Sequence, residues 1–179
     1  MAGADRKRIE VYLGRLYGYA FSLCRDRTDA EDLVHDCIVK SLSCRTVPAD
    51  EAAFRTWLFR ILKNAFIDGL RKSNVRSSYL EDQRHMSGPD SWLIDESALN
   101  ALAVRQEIIK LPQHHREIIG LIDMAGFSYE EVAELLDIPS GTVMSRISRA
   151  RALLLDAMQA GRIQALPVKN CLTRKLGLK

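Results

Sequence analysis

The chain has 179 residues, an apolar share of 47% and a formal net charge of +3, enough for one globular domain or two small ones with ordinary cores. Its longest apolar runs are far too short to span a bilayer, and the opening MAGADRKRIE has no signal-like apolar core. A cytoplasmic protein with no membrane insertion is therefore expected. Cys24, Cys37, Cys44 and Cys171 show no CxxC spacing, so reduced thiols that pack as small apolar groups are expected. A zinc site built from His35, Cys37 and Cys44 is the competing reading.

Ile9, Leu13, Leu16, Tyr17 and Ala20 recur at helical spacing and predict a first amphipathic helix from Ile9 to Leu23. The polar stretch Arg25 to Thr28 marks a turn. Thr28 or Asp29 then caps a second helix, with Leu33, Val34, Ile38, Val39 and Leu42 as its apolar residues. Its opening turns carry Asp29, Glu31, Asp32 and Asp36, with His35 among them. Two readings fit these acids: they complement the positive end of the helix dipole, or they form a docking patch for a basic partner surface.

Residues 43–53, with Pro48, Ala49 and Asp50, read as a loop. FRTWLFRILKNAFIDGLRK, from Phe54 to Lys72, reads as a helix apolar over most of its circumference, which predicts packing on several sides. Trp57, Arg60, Asn64 and Arg71 share the remaining stripe, with Asp68 at its edge. An aromatic ring, an amide and guanidinium groups on one face suit unstacked bases and phosphates. The plainer alternative makes Trp57 a core residue and leaves the arginines in solvent.

From Ser73 to about Ser97 the periodicity lapses, and Gly88 and Pro89 mark a linker in which Trp92, Leu93 and Ile94 form a small apolar knot. A helix is predicted over Ala98 to Ile109. Leu111-Pro112 interrupts it, and the helical pattern resumes from His114 to Met124. His114 and His115 are adjacent, point to different faces of a helix, and make a poor metal pair.

Phe127 to Leu155 is the most informative stretch. Ser128 with Glu131 three places later forms a capping box, and Val132, Leu135 and Leu136 give one apolar side. Asp137 to Gly141 break the pattern at Pro139. Ser140 is placed to cap a second helix, whose apolar stripe is Val143, Ile147, Ala150 and Leu154. Ser145, Arg146, Ser148, Arg149 and Arg151 lie on the other side. Two short helices, a tight turn and a second helix rich in Arg and Ser describe a helix-turn-helix that binds duplex DNA. The basic, apolar stretch from Ala160 to Lys179 reads equally as a disordered tail, a partner contact or a non-specific DNA contact.

Three segments in this order resemble a bacterial RNA polymerase sigma factor of the extracytoplasmic-function (ECF) type, over roughly residues 9–75 and 97–158. DAEDLVHDCIVKSL, Asp29 to Leu42, resembles the helix that docks on the clamp helices of the largest polymerase subunit. FRTWLFRILKNAFIDGLRK resembles the segment that melts and reads the minus-ten promoter element. The segment from Leu111 through the helix-turn-helix resembles the domain that reads the minus-thirty-five element. The resemblance implies an all-α fold of two small helical domains joined by a flexible linker, the C-terminal one containing the helix-turn-helix. The division expected is 1–75 for core polymerase and the minus-ten element, 76–96 for the linker, 97–160 for the minus-thirty-five element, and 161–179 for a tail of unassigned role.

By position, the resemblance assigns Asp32, Leu33 and Asp36 to the polymerase interface and moves the acidic patch towards function. Asn64 and the loop from roughly Val47 to Ala53 would hold a flipped-out base, with Trp57, Arg60, Arg71 and Lys72 as further minus-ten contacts. Met144, Ser145, Ser148 and Arg149 match base-facing positions in the minus-thirty-five groove, flanked by Thr142. Arg146 and Arg151 would hold phosphates. Met144 stands where a basic residue is common, which suggests a contact with a thymine methyl. His35 and Asp36 replace the usual glutamine and glutamate.

No nucleophile–base pair, phosphate-binding glycine loop or metal cluster is visible, so neither an enzyme nor a cofactor is expected. The expected partners are core RNA polymerase, promoter DNA and, by resemblance, an anti-sigma factor. The free chain would be a monomer, or a heterodimer with that factor. The competing reading is a conventional helix-turn-helix regulator that binds a palindrome as a dimer.

Overall fold

The computed structural model describes residues 2–76 and 96–164, and among them it forms seven α-helices and one π-helical segment, with no strand. Residues 77–95, which hold nearly all of the expected linker and the Trp92–Ile94 knot, lie outside the described residues. So do residues 165–179 of the expected tail, with Cys171.

Helix α1 (Ala2–Cys24) runs longer than its periodic core predicts and buries Ile9, Tyr12, Leu16, Tyr19, Ala20 and Leu23. Leu13, which the spacing puts on that stripe, is 37% exposed. Tyr12 takes the inward place because its hydroxyl donates to Glu51 Oε1 at 2.7 Å while its ring lies against Phe54. Arg25 then adopts a left-handed φ of 67°, and the chain reverses into α2 (Arg27–Ser43). The cap of α2 is Asp26, not Thr28 or Asp29. Its carboxylate accepts the Thr28 and Asp29 amides at 2.8 and 3.1 Å, so those two residues are already inside the helix. Cys37 on α2 is buried and its thiol donates to the Leu58 carbonyl at 3.5 Å; burial pushes that thiol up to about 12.

Helix α3 (Glu51–Arg76) starts three residues ahead of Phe54 because Asp50 caps it, accepting the Ala53 amide at 2.8 Å. Phe54, Leu58, Phe59, Leu62 and Ala65 are all buried, which accounts for the broad apolar circumference. The preceding loop is braced on α1: Arg8 donates to the Pro48 carbonyl at 3.0 Å, pairs with Glu51, and lies 3.8 Å over the Phe54 ring.

The second helical region holds α4 (Glu96–Lys110), α5 (Gln113–Ile119), the π-helical segment Gly120–Met124, α6 (Tyr129–Leu136) and α7 (Ser140–Gln164). The pattern read as one helix to Met124 widens in its last turn, where the Ala125 amide donates to the Gly120 carbonyl at 3.0 Å. Ile118, Leu121, Val132, Leu135, Val143, Ile147 and Ala150 close its core. This core is continuous with that of α1–α3: Phe59 of α3 packs edge-on against Phe127 at 4.9 Å, and Tyr19 lies 5.8 Å from Phe59.

Candidate nucleic-acid interface

The capping box that opens α6 forms as its spacing requires. The Glu131 amide donates to Ser128 Oγ at 3.2 Å, and the Ser128 amide donates to Glu131 Oε2 at 2.8 Å. Burial alone would raise the Glu131 carboxyl, but the Ser128 amide and the Arg55 guanidinium together hold it below the usual range. Asp137 ends α6 in the left-handed region, φ 55°, and the Ile138 amide donates back to the Ala133 carbonyl at 3.0 Å. Ser140 is the first residue of α7 rather than the residue before it. The Thr142 and Val143 amides donate to the Pro139 carbonyl, at 2.9 and 3.2 Å.

With Val143, Ile147 and Ala150 turned inward, α7 presents Met144, Ser145, Ser148 and Arg149 outward. Met144 is 48% exposed, a large apolar side chain held in solvent with small hydroxyls beside it. Thr142 and Arg146 are half-buried. Arg151 is exposed in part, but its fork is occupied: Nη2 and Nε donate to the two oxygens of Asp123 at 2.5 and 3.3 Å. A free phosphate contact from Arg151, as the resemblance suggests, would have to share that carboxylate.

On α3, Arg60, Asn64, Arg71 and Lys72 are exposed. Trp57 is not their equal. It is half-buried, packs against the core, and lies 5.6 Å from the Phe54 ring, next to the braced loop. The loop and the Asn64 face are thereby fixed before any base arrives. Asp68, at the edge of the stripe, pairs with Lys40 of α2 at 3.8 Å.

On α2, Asp32, His35 and Asp36 are exposed, and Val39 and Leu42 continue the outward face at 50% and 47% exposure. Leu33, which the periodicity puts on the apolar side of α2 and the resemblance at the polymerase interface, is buried among α1–α3, on the same side of the helix as Ala30, Val34 and Cys37. The outward surface of α2 is therefore acidic first and apolar further along. Among the described residues no three His, Cys, Asp or Glu side chains gather in a metal-binding group, and no helix is long and apolar enough to cross a membrane.

Sequence reasoning passed over four residues that join the two helical regions: Arg55, Lys63, Arg116 and Glu117. The signal available for Arg116 was a lone cation in the apolar run around Ile118 and Ile119. It is 2% exposed, and burial pushes its guanidinium down to about 10.

Comparison with known proteins agrees with this arrangement. The Sigma-70 region 2 family matches residues 8–76, and the Sigma-70, region 4 family matches residues 101–154. An ECF RNA polymerase sigma factor, EcfG, of Rhodopseudomonas palustris is 31% identical over 144 residues, covering 78% of this chain and 76% of the relative. The ECF RNA polymerase sigma-E factor of Escherichia coli is 30% identical over 146 residues, covering 73% and 74%. Among solved structures, the sigma factor RpoE in complex with the anti-sigma factor NepR from Bartonella quintana superposes with a TM-score of 0.67 at 28% identity, covering 87% of this chain and 97% of that one. By its matched regions, its relatives and its fold, the chain belongs to the ECF family of RNA polymerase sigma factors.

Proposed function

We propose that the chain is the promoter-specificity subunit of a bacterial RNA polymerase, and that three outward faces divide the work. Asp32 and Asp36 of α2 meet a basic surface of core polymerase. Arg60, Asn64, Arg71 and Lys72 of α3 take the opened minus-ten strand, with Trp57 bracing the loop from Val47 to Ala53. Met144, Ser145, Ser148 and Arg149 of α7 read the minus-thirty-five major groove, with Thr142 and Arg146 at the border. Residues 1–75 and 97–160 act as the two recognition domains, joined by 76–96.

The observation that carries this reading is the pairing of an exposed Arg60–Asn64–Arg71 stripe with a helix-turn-helix in one chain. A conventional sensor domain has no use for that stripe. Capture of an extruded base offsets the few kcal/mol that unpairing costs. Catalysis stays with the polymerase; this chain is a cytoplasmic initiation factor and not an enzyme, and it needs no cofactor. Its similarity to a sigma factor bound to NepR supports an anti-sigma factor as the controlling partner.

The test is size-exclusion chromatography with sigma-free core polymerase. A one-to-one complex that is lost on Asp32→Arg is the expected result. Unchanged binding by that variant would remove α2 from the polymerase interface.

A further inference from the structure

The adjacent histidines of α5 divide between solvent and core. His114 is exposed, while His115 falls on the same side of the helix as Ile118 and Ile119 and is 8% exposed. Its amide donates to the Pro112 carbonyl at 3.0 Å, and its ring meets the His114 ring with centroids 4.2 Å apart. Helix α5 packs along α7, from which the charges of Arg149 and Arg146 act on His115. The imidazole therefore sits beside the helix that presents Met144, Ser145, Ser148 and Arg149.

These surroundings favour one protonation state. His115 Nδ1 is buried and has no hydrogen-bond partner among the described residues. In a neutral imidazole that nitrogen can stay a bare acceptor, whereas an imidazolium carries a hydrogen on both nitrogens. A proton would therefore bury an N–H with nothing to receive it, and would add charge where cations already face the ring. Burial first, then His114, Arg149 and Arg146, hold this imidazole below its ordinary range. The other charged residues of α5 turn to α1: Arg116 Nε donates to the Ser22 carbonyl at 2.8 Å, and Glu117 Oε1 accepts the Tyr19 hydroxyl at 3.4 Å.

We propose that His115 is a positioning residue for minus-thirty-five reading, and that α7 keeps its seat on α5 only while this imidazole is neutral. The proposal rests on the reading of α7 as the recognition helix. Above the ordinary imidazole range the ring is neutral whether packed or free, and the seat holds. As pH falls below that range, a freed imidazole takes up the proton that the packed one resists, so the contribution of this packing is lost on the acid side. Once the ring is charged it repels Arg146 and Arg149, and the base-facing side chains of the same helix lose their register. Attraction to phosphates does not weaken when a positive charge is added. Acid should therefore cost discrimination between sequences and not attachment to DNA.

The test uses holoenzyme assembled from the full chain and core polymerase. Fluorescence anisotropy at constant ionic strength compares its preferred promoter duplex with one whose minus-thirty-five element is scrambled. The ratio of the two affinities is followed from about pH 8 to about pH 5.5, the span over which an imidazole changes charge. The ratio should hold on the alkaline side and fall on the acid side, no more steeply than about tenfold per pH unit, the limit for one proton. His115→Gln should make the ratio independent of pH, and His114→Gln should leave the fall in place. A ratio that does not change with pH in the parent, or an unchanged fall in His115→Gln, would overturn the proposal. Should His115→Gln not fold, ring-proton NMR of the unaltered chain decides, with His115 expected to titrate below exposed His35 and His114. Titration at or above them would overturn the proposal equally. A holoenzyme that fails to distinguish the two duplexes at any pH would sink the recognition-helix reading, while a low His115 titration would still establish the buried neutral ring.

Discussion

Arg149 and Arg151 sit two residues apart on α7 and have different work open to them. Arg149 is exposed beside Met144, Ser145 and Ser148, whereas Arg151 already spends its fork on Asp123. Arginine reads guanine by presenting two donors at once, which an occupied fork cannot do. Arg149→Ala is therefore expected to weaken holoenzyme binding to its preferred minus-thirty-five sequence by about 1–3 kcal/mol and to relax specificity there. Fluorescence anisotropy on a panel of duplexes would check this; an equal loss on every sequence would reduce Arg149 to a phosphate contact. Arg151→Ala should chiefly remove a partly exposed ion pair, a change of about 0.2–1 kcal/mol in thermal stability.

At the scale of elements, α3 divides its circumference three ways. Phe54, Leu58 and Leu62 are buried, Arg55, Phe59 and Lys63 meet α6 and Phe127, and Arg60, Asn64 and Arg71 stay outward. Because Asn64 is exposed and carries no core contact, Asn64→Ala should impair promoter opening, read by permanganate reactivity of unpaired thymines, while binding to core polymerase is kept. Loss of core binding would place Asn64 in the wrong interface. The sequence made much of this legible, since caps and stripes are local: Ser128 and Glu131 are three apart, and Val143, Ile147 and Ala150 keep one period. It misplaced Leu13 and the cap of α2, where two neighbouring residues of suitable type compete and tertiary contacts such as Tyr12 with Glu51 decide. It was silent on Arg116, because two of the three carbonyls it donates to, those of Ser22 and Leu23, lie more than ninety residues away and no local period records them.

At the scale of the molecule, two recognition regions on one chain gain by tethering only when something holds them at the promoter's spacing. Core polymerase supplies that spacing, and each region alone should bind DNA weakly. The most direct measurement is run-off transcription by sigma-free core polymerase plus this chain, on templates in which the distance between the minus-thirty-five and minus-ten elements is varied. The account predicts a defined transcript that requires both elements, peaks at one spacing, and disappears without the chain. No transcript at any spacing, together with tight binding of a palindrome by a dimer of the chain alone, would contradict it.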